Sequence, residues 1–411
     1  MRRSHRTGTI GLLVATMVVV ACGEAPDRQA QAADLLYFST GKGVAVVAAG
    51  AKSAPPSTEG VPSTDWSSVV TASPYRLATH VEAVDATTGD MQWRKSIEGP
   101  RLRVRVVSHE AQMVALTPLY QQHYTAGRTK TTLVVAGRAV EPRTIELDGN
   151  YDPEAFSTDG NHVFLLQYLP PQRPTSYRVR RLDLATEKVE GVYSVDAELQ
   201  EAMRGTARIQ SMSPDGKFLY TLYTTGGGAL GPRRAFIHVL NLEELWAHCI
   251  DLPAEFGGAR EPHISIAVTP DSKRLFVTDS ATAAIAEVDT QSLEVLQTKT
   301  ADLLESQSSP KTAHDGGHML YIALGPFVYA VDTRDMGVEE RWTLDAAISG
   351  IQVSADATKV YVSVEGELVT IDVTTGAERP TVTPPGVGRI REVGRVMQKI
   401  EEPLDKLTCA C

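Results

Sequence analysis

The stretch VTPDSKRLFVTDSATAAIAEVD, residues 268–289, contains the repeating unit that decides the fold. It predicts a strand ending at Val268, a tight turn at 269–272, a second strand at 275–277 and a third strand ending at Asp289. Proline and aspartate favour this turn because they preset the backbone and cap its amides. Apolar residues alternate on both sides of the turn, which predicts strands with one buried face.

The same unit recurs along the chain at intervals of about 40 to 50 residues. Its first turn, which carries an aspartate in every copy, lies at 157–160, 213–216, 269–272, 314–317 and 354–357. Its third strand closes on a polar residue at Asp85, Asp183, Asn241, Asp289, Asp332 and Asp372. A degraded copy, from Arg103 to Val135, fills the gap between the first two closing residues, so we count seven units.

Four strands per unit at this period are the signature of a β-propeller, in which each sheet is covered by its neighbours. Over residues 35–393 the pattern resembles the YVTN-type propellers, secreted relatives of the WD-repeat proteins. The YVTN tetrapeptide itself is absent, and Phe276-Val277-Thr278-Asp279 is the nearest match. The fold class predicted from the repeats and the resemblance is all-β, a seven-bladed β-propeller of four-stranded antiparallel blades. No particular activity follows, since one such scaffold hosts many.

The two ends of the propeller are expected to meet in one blade. The first unit lacks an innermost strand before Leu35, and an additional strand, residues 387–393, follows the last complete unit. We therefore predict that this C-terminal strand closes the first blade, which removes the open sheet edges that a linear array would leave.

The N-terminal residues are predicted to lie outside the propeller. A basic start precedes an apolar run that is too short to span a bilayer comfortably, which predicts a secretory signal over residues 1–21. The end of this run, Val-Val-Ala-Cys at 19–22, resembles the bacterial lipobox and implies lipidation of Cys22. An ordinary signal peptide with a chance cysteine is the alternative.

This interpretation divides the chain into four parts. Residues 1–21 are the lipoprotein signal peptide, 22–34 a flexible tether, 35–393 the propeller and 394–411 a C-terminal tail. The protein is then exported and lipid-anchored to the outer face of the bacterial cytoplasmic membrane. The formal net charge of the chain is −10. The charged residues in 1–21 are all arginines, so removal of the signal peptide makes the remaining chain more acidic. A chain this acidic is not expected to bind nucleic acid.

Insertions predict where a partner binds. Long loops between the second and third strands occur in units one to four, at 47–80, 118–130, 168–176 and 224–234. Units five to seven have short loops there, so one end of half the ring is elaborated. Aromatic residues on loops are typical of binding surfaces, and the candidates are Trp66, Tyr120, Tyr124 and Tyr168. Loop growth without selection for binding is the alternative.

Arginines at alternating positions mark the predicted innermost strands. They are Arg101, Arg103 and Arg105 in unit two, Arg208 in unit four, and Arg389 and Arg391 in the C-terminal strand. If these side chains point into the channel, they form a cationic funnel for a small anion. Pairing with acidic residues of the neighbouring blade is the alternative.

Catalysis has little support in the sequence. The motifs G-x-S-x-G, H-E-x-x-H and C-x-x-C do not occur, and neither a metal site nor a cofactor is predicted. We therefore predict a membrane-anchored surface lipoprotein that binds a small anion, a glycan or a protein on its long-loop face. The alternative is a hydrolase or lyase with its active site at the mouth of the propeller channel.

Overall fold

The computed structural model describes residues 34–40, 43–49, 58–195, 203–226, 234–258, 263–304, 308–381 and 396–398. The regular secondary structure of this part of the chain is almost entirely β-strand, arranged in eight sheets. Its helical segments are short 3-10 turns at His109–Ala111, Tyr124–Ala126 and Ala254–Gly258. No helix among these residues is long and apolar enough to cross a bilayer.

Seven sheets, numbered 1 to 7 along the chain, are built around four-stranded antiparallel meanders whose strands are hydrogen-bonded in chain order. Sheet 1 consists of β3 (Val61–Pro62), β4 (Ser68–Tyr75), β5 (Ala78–Asp85) and β6 (Met91–Glu98). Sheet 2 consists of β7 (Leu102–Val107), β8 (Met113–Pro118), β9 (Lys130–Gly137) and β10 (Arg143–Asp148). Sheet 3 consists of β11 (Asn150–Phe156), β12 (His162–Leu169), β13 (Ser176–Asp183) and β14 (Val189–Gly191).

Sheets 4 to 7 repeat the same order. Sheet 4 consists of β16 (Thr206–Met212), β17 (Phe218–Thr225), β18 (Arg234–Asn241) and β19 (Trp246–Asp251), with β15 (Tyr193–Ser194) added parallel to β19. Sheet 5 consists of β20 (Ile264–Val268), β21 (Arg274–Asp279), β22 (Ala284–Asp289) and β23 (Glu294–Thr300). Sheet 6 consists of β24 (Lys311–His314), β25 (Met319–Leu324), β26 (Phe327–Asp332) and β27 (Gly337–Thr343). Sheet 7 consists of β28 (Ile348–Val353), β29 (Lys359–Val364), β30 (Glu367–Asp372) and β31 (Glu378–Thr381).

Sheet 8 joins the two ends of the described chain. It contains β1 (Asp34–Thr40), β2 (Gly43–Ala48) and β32 (Val396–Gln398), in the order β2-β1-β32. The first strand therefore pairs antiparallel with the last. Segment 387–393, where we predicted the closing strand, lies outside the described residues, and β32 falls instead in the predicted tail.

Apolar layers connect each sheet to the next and finally connect sheet 8 to sheet 1. Consecutive sheets from 1 to 7 share six buried clusters. Leu36 of sheet 8 packs on Tyr361 of sheet 7, and Tyr37 on the other face of β1 packs with Val69 of sheet 1. The eight sheets thus form a closed cycle, an arrangement consistent with a β-propeller.

The structure contains one sheet more than the seven predicted, because the predicted insertion 47–80 is not one loop. It contains the two-residue strand β3 and the strand β4, which complete sheet 1 and leave β1 and β2 to sheet 8. The Ser/Pro-rich sequence around β3 shows no alternation of apolar residues, so the pattern did not reveal this strand.

The repeated aspartates hold the turns. Asp85 Oδ1 accepts hydrogen bonds of 2.8 Å from the amides of Thr87 and Thr88 after the third strand. The closing residues Asp183, Asn241, Asp289 and Asp372 make the same pair of bonds. In the first turn, Asp271 accepts from the Thr269 hydroxyl and from the amide of Lys273. These local bonds explain why the turn sequence recurs in sheet after sheet.

A buried polar contact fastens sheet 8 to sheet 7. Asp34, at the start of β1, is 9% exposed, and its Oδ2 accepts a 2.8 Å hydrogen bond from the Tyr361 hydroxyl. Its Oδ1 lies 3.4 Å from the Ala355 amide, a weaker contact. The tyrosine hydroxyl is therefore the principal donor to this carboxylate among the described residues.

The substitution Tyr361→Phe is expected to lower the free energy of unfolding by about 1–3 kcal/mol, because it leaves a buried carboxylate oxygen without its donor. Urea unfolding measures the change. Tyr321→Phe is the matched control, since Tyr321 occupies the corresponding position of β25 and its hydroxyl makes no hydrogen bond among the described residues. Equal losses in both variants would contradict the assignment.

Candidate functional site

One end of the ring carries the longest connections between second and third strands. They are residues 119–129 in sheet 2, 170–175 in sheet 3 and 226–233 in sheet 4, the last only partly described. The equivalent connections in sheets 1, 5, 6 and 7 are short, at 76–77, 280–283, 325–326 and 365–366. We call the end of the ring that carries the connections between second and third strands the long-loop end. Three consecutive sheets are elaborated, not the four predicted, because sheet 1 has a two-residue turn there.

Arg128 fixes the conformation of loop 119–129. This buried guanidinium donates through Nη1 to the Gln122 carbonyl (2.6 Å), through Nη2 to the Tyr151 carbonyl and through Nε to the Thr131 hydroxyl (3.1 Å). Burial lowers the pKa of Arg128, and the smaller effect of the nearby Asp152 charge opposes this by raising it. Each of its three side-chain nitrogens makes a hydrogen bond within the protein, so Arg128 positions the loop.

The loops of sheets 2 and 3 interlock. The Arg128 amide donates to the Pro171 carbonyl at 3.0 Å, and the Asn150 side-chain amide donates to the carbonyls of both Tyr124 and Pro171. At Gly127, φ is +79° and a Cβ would lie 2.1 Å from the Gln172 carbonyl oxygen. Only glycine fits this crossing, because any side chain would separate the two loops.

A cavity of about 540 Å³ lies where these loops meet. Its lining residues are mainly polar, namely Tyr120, Gln121, Gln122, Gly127, Arg128, Thr129, Lys130, Thr132 and Gln172. The Tyr120 ring is 75% exposed, and Lys130 is also exposed. The cavity therefore offers an aromatic face, several amides and one ammonium group, which suits a ligand that combines apolar surface with hydrogen-bonding groups.

Tyr124 and Tyr168, two of the predicted binding residues, are brought together. Their rings stack with centroids 4.2 Å apart at 10°, and the His123 ring lies 4.2 Å from Tyr124. The stack continues through Tyr177 into sheet 4. Burial raises the pKa of the Tyr168 hydroxyl. These two tyrosines pack loop 119–129 against sheet 3, whereas Tyr120 faces solvent.

Trp66 does not lie at the long-loop end, contrary to the prediction. It occupies the turn between β3 and β4, at the opposite end of sheet 1, with a φ of 63°. Its half-buried ring packs on the apolar layer of Tyr37 and Val69 between sheets 8 and 1. Residues 47–80, which were predicted to form one loop carrying Trp66, contain the strands β3 and β4.

The arginines predicted to line the channel have different partners in the structure. Arg105 Nη2 lies 2.7 Å from Asp152 Oδ2 across sheets 2 and 3, which is the inter-blade pairing named as the alternative. Arg103 Nε donates to the Thr117 hydroxyl at 3.3 Å, and Arg101 is exposed just before β7. The remaining predictions fall outside the described part of the chain: Arg208 lies in β16 but its side chain is not described, and Cys22, Arg389 and Arg391 are not described at all.

Exposed apolar side chains gather at the long-loop end of sheets 1 and 2. Tyr75 is 51% exposed, Leu77 87% and Leu119 51%, and Leu119 directly precedes Tyr120 in the sequence. The Leu77 carbonyl and the Leu119 amide both bond to the segment 99–101 that connects the two sheets, which places the two leucines near each other. The sequence did not single out these leucines, because an apolar residue beside a strand looks like part of the strand.

A carboxyl group with an altered pKa lies on the innermost strand of sheet 3. Gln210 Nε2 donates to Glu154 Oε1 at 3.0 Å, whereas Oε2 is buried without a described partner. Burial, and then the nearby Asp152 charge, raises the pKa of Glu154 to about 7. Among the described residues no cluster of three His, Cys, Asp or Glu side chains is arranged to hold a metal ion.

The substitution Glu154→Gln is expected to change the pH dependence of stability. A carboxyl whose folded pKa is raised from 4.5 to about 7 stabilises the fold least above pH 7, and its contribution falls as pH rises through that window. The variant should therefore be more stable than the parent at pH 8, by about 1–2 kcal/mol after allowance for partial exposure, with little gain at pH 4. Urea unfolding at several pH values tests this, and Glu146→Gln, at an exposed position of β10, controls for the loss of one carboxylate. A flat difference across pH would contradict it.

The fold and the site define an all-β protein of the propeller type with a loop-built cavity at one end. No family model matches the sequence, and no curated protein matches it. The YVTN-type resemblance therefore stays a prediction.

Solved structures do match the fold. Apo AztD from Citrobacter koseri superposes with a TM-score of 0.51 at 11% identity, over 90% of this chain and 100% of that chain. A second AztD structure from Citrobacter koseri gives 0.50 at 11% identity, over 88% and 97%. A putative 6-phosphogluconolactonase from Bacteroides fragilis gives 0.41 at 13% identity, over 82% and 100%. At these identities the likeness to AztD supports the fold alone.

Proposed function

We propose that this chain is an exported, lipid-anchored protein that binds a partner at its long-loop end without catalysis. The observation that carries the proposal is the concentration there of a polar cavity and exposed apolar side chains, while the equivalent connections of sheets 5 to 7 are short. Monomeric proteins rarely expose contiguous apolar surface without a binding role.

The chemistry of this end favours a polypeptide partner over a small anion. Arg128 is buried and bonds to the protein through all three side-chain nitrogens, whereas Lys130 is the exposed cation among the cavity's lining residues. Leucines and an exposed tyrosine around a polar recess are typical of protein interfaces, in which aromatic anchors carry much of the affinity. A glycan would use the same tyrosine and amides but not Leu77 or Leu119.

Site-directed photocrosslinking in the native envelope tests this face. A benzophenone amino acid at position 120 is expected to give a discrete adduct, and Leu77→Asp is expected to abolish it by placing a charge in the apolar patch. The matched control is Leu296→Asp at a 48% exposed position of β23, which should leave the adduct intact. An adduct that survives Leu77→Asp but is competed by envelope glycans would point to a glycan, and no adduct at position 120 would overturn the proposal.

The anchor is tested separately. We propose that Cys22 carries the lipid, on the strength of its position directly after the apolar run 10–21. The wild-type protein is expected to incorporate labelled palmitate and to sediment with membranes, whereas Cys22→Ser should do neither, because two or more long chains are needed for stable attachment. Membrane association of the unlabelled Cys22→Ser protein would contradict lipid anchoring.

One observation favours the alternative, a hydrolase or lyase at the channel mouth. A carboxyl with a pKa near 7, as at Glu154, has the value expected of a general acid. Its neighbour Asp152 is already paired with Arg105, however, so Asp152 is not a free second carboxylate for catalysis with Glu154. Turnover of a lactone or ester by the wild type that disappears in Glu154→Gln would favour this alternative.

A further inference from the structure

Two arginines on β13 share a single neutral partner. Arg178 and Arg180 are two residues apart, so their side chains project from the same face of sheet 3. Their Nε atoms both donate to Gln167 Oε1, at 2.9 and 3.0 Å. Leu182, next on that face, packs in the apolar layer between sheets 2 and 3. The two guanidinium groups are thus held close together, half-buried, at the boundary of these sheets.

Gln167 connects the arginines to a buried tyrosine. Because Oε1 accepts from both guanidinium groups, the amide nitrogen must point the other way, where it donates to the Tyr151 hydroxyl at 2.9 Å. A hydroxyl oxygen that accepts this bond keeps its own proton for donation. Tyr151 is only 6% exposed and its ring is fixed in the apolar layer, so the whole row is preorganised.

The row has an excess of positive charge and of donors. Neither Arg178 nor Arg180 contacts a carboxylate among the described residues, and their Nη groups make no hydrogen bond there. Burial, and then the charge of Arg178, lowers the pKa of Arg180. By contrast, Arg181 on the opposite face is paired with Glu190 at 2.7 Å. Repulsion within the row can be relieved by an anion from solution.

We propose that Arg178, Arg180 and the Tyr151 hydroxyl form a binding site for a tetrahedral oxyanion of the phosphate class, at the boundary of sheets 2 and 3. The Nη groups of the two guanidiniums offer donors on one side of the Gln167 carboxamide and the Tyr151 hydroxyl offers one on the other. The several oxygens of one oxyanion can accept from more than one of these donors. Arg105 differs because the carboxylate of Asp152 already neutralises it. This site is separate from the cavity of the long-loop end and does not depend on the proposed function.

Isothermal titration of the folded protein with inorganic phosphate at constant ionic strength tests the site. Saturable binding is expected in the wild type up to about 10 mM ligand. Arg178→Gln and Arg180→Gln should each weaken it about tenfold or more, and Tyr151→Phe about fivefold. Arg181→Gln, one residue away but on the other face, should bind as the wild type does. Equal loss in Arg181→Gln would show a general charge effect and overturn the proposal, as would the absence of saturable binding in the wild type.

A second variant replaces the neutral partner of the two arginines with a carboxylate. Gln167→Glu places a carboxylate between the two guanidinium groups with little change of shape, so it is expected to raise the melting temperature and to abolish the phosphate response. A variant that unfolds at lower temperature, or that still binds phosphate, would count against the site. Titration with glycerol 3-phosphate distinguishes a phosphate monoester from free phosphate, since added affinity for the ester shows that the site also accommodates the attached group.

Discussion

Closure of the ring of sheets is the constraint on which the rest of the structure depends. Each sheet has two apolar faces, and a face is removed from water only when a neighbouring sheet covers it. A linear stack would leave two such faces exposed, so the last sheet must pack on the first. Sheet 8 does this with both faces of one strand, placing Leu36 on sheet 7 and Tyr37 on sheet 1. The Asp34–Tyr361 bond fixes the register of that contact.

A closed ring also separates the residues that build it from those free to bind. Strand interiors are fully used in the layers between sheets, so variation is confined to the connections and to polar positions at the sheet boundaries. Variation in the connections occurs at the long-loop end, where glycine at position 127 allows two loops to cross and enclose a cavity. Variation at a polar boundary position occurs along β13, where two arginines share one amide partner.

The repeating unit could be predicted from sequence because its signal is local. The turn aspartates accept from the amide two residues on, and the closing aspartates accept from the amides two and three residues on, so both were visible as short motifs. The sheet count was not predicted correctly because β3 has only two residues and lies in a Ser/Pro-rich stretch. The pairing of the first and last strands was predicted in kind, though β32 lies further along the chain than expected.

The candidate site was harder to predict because its contacts join different sheets. The same Arg-Val-Arg pattern occurs at 103–105 and 178–180, yet one arginine of the first copy meets a carboxylate and the second copy meets an amide. Which of these occurs depends on the neighbouring strands, which spacing along one strand does not reveal. Likewise Tyr120 and Tyr124 are four residues apart, yet Tyr120 is exposed to solvent and Tyr124 lies in a half-buried aromatic stack.

The pairing of β1 with β32 has a consequence for folding. Among the described residues, β1 completes its sheet only when residues 396–398 reach it from the other end. Sheets 1 to 7 each form from contiguous chain, whereas sheet 8 needs a pairing of long sequence separation, which is expected to form late. The ring is therefore expected to close in one late step, so that the edge of β1 that meets β32 stays unpaired until the other sheets have formed.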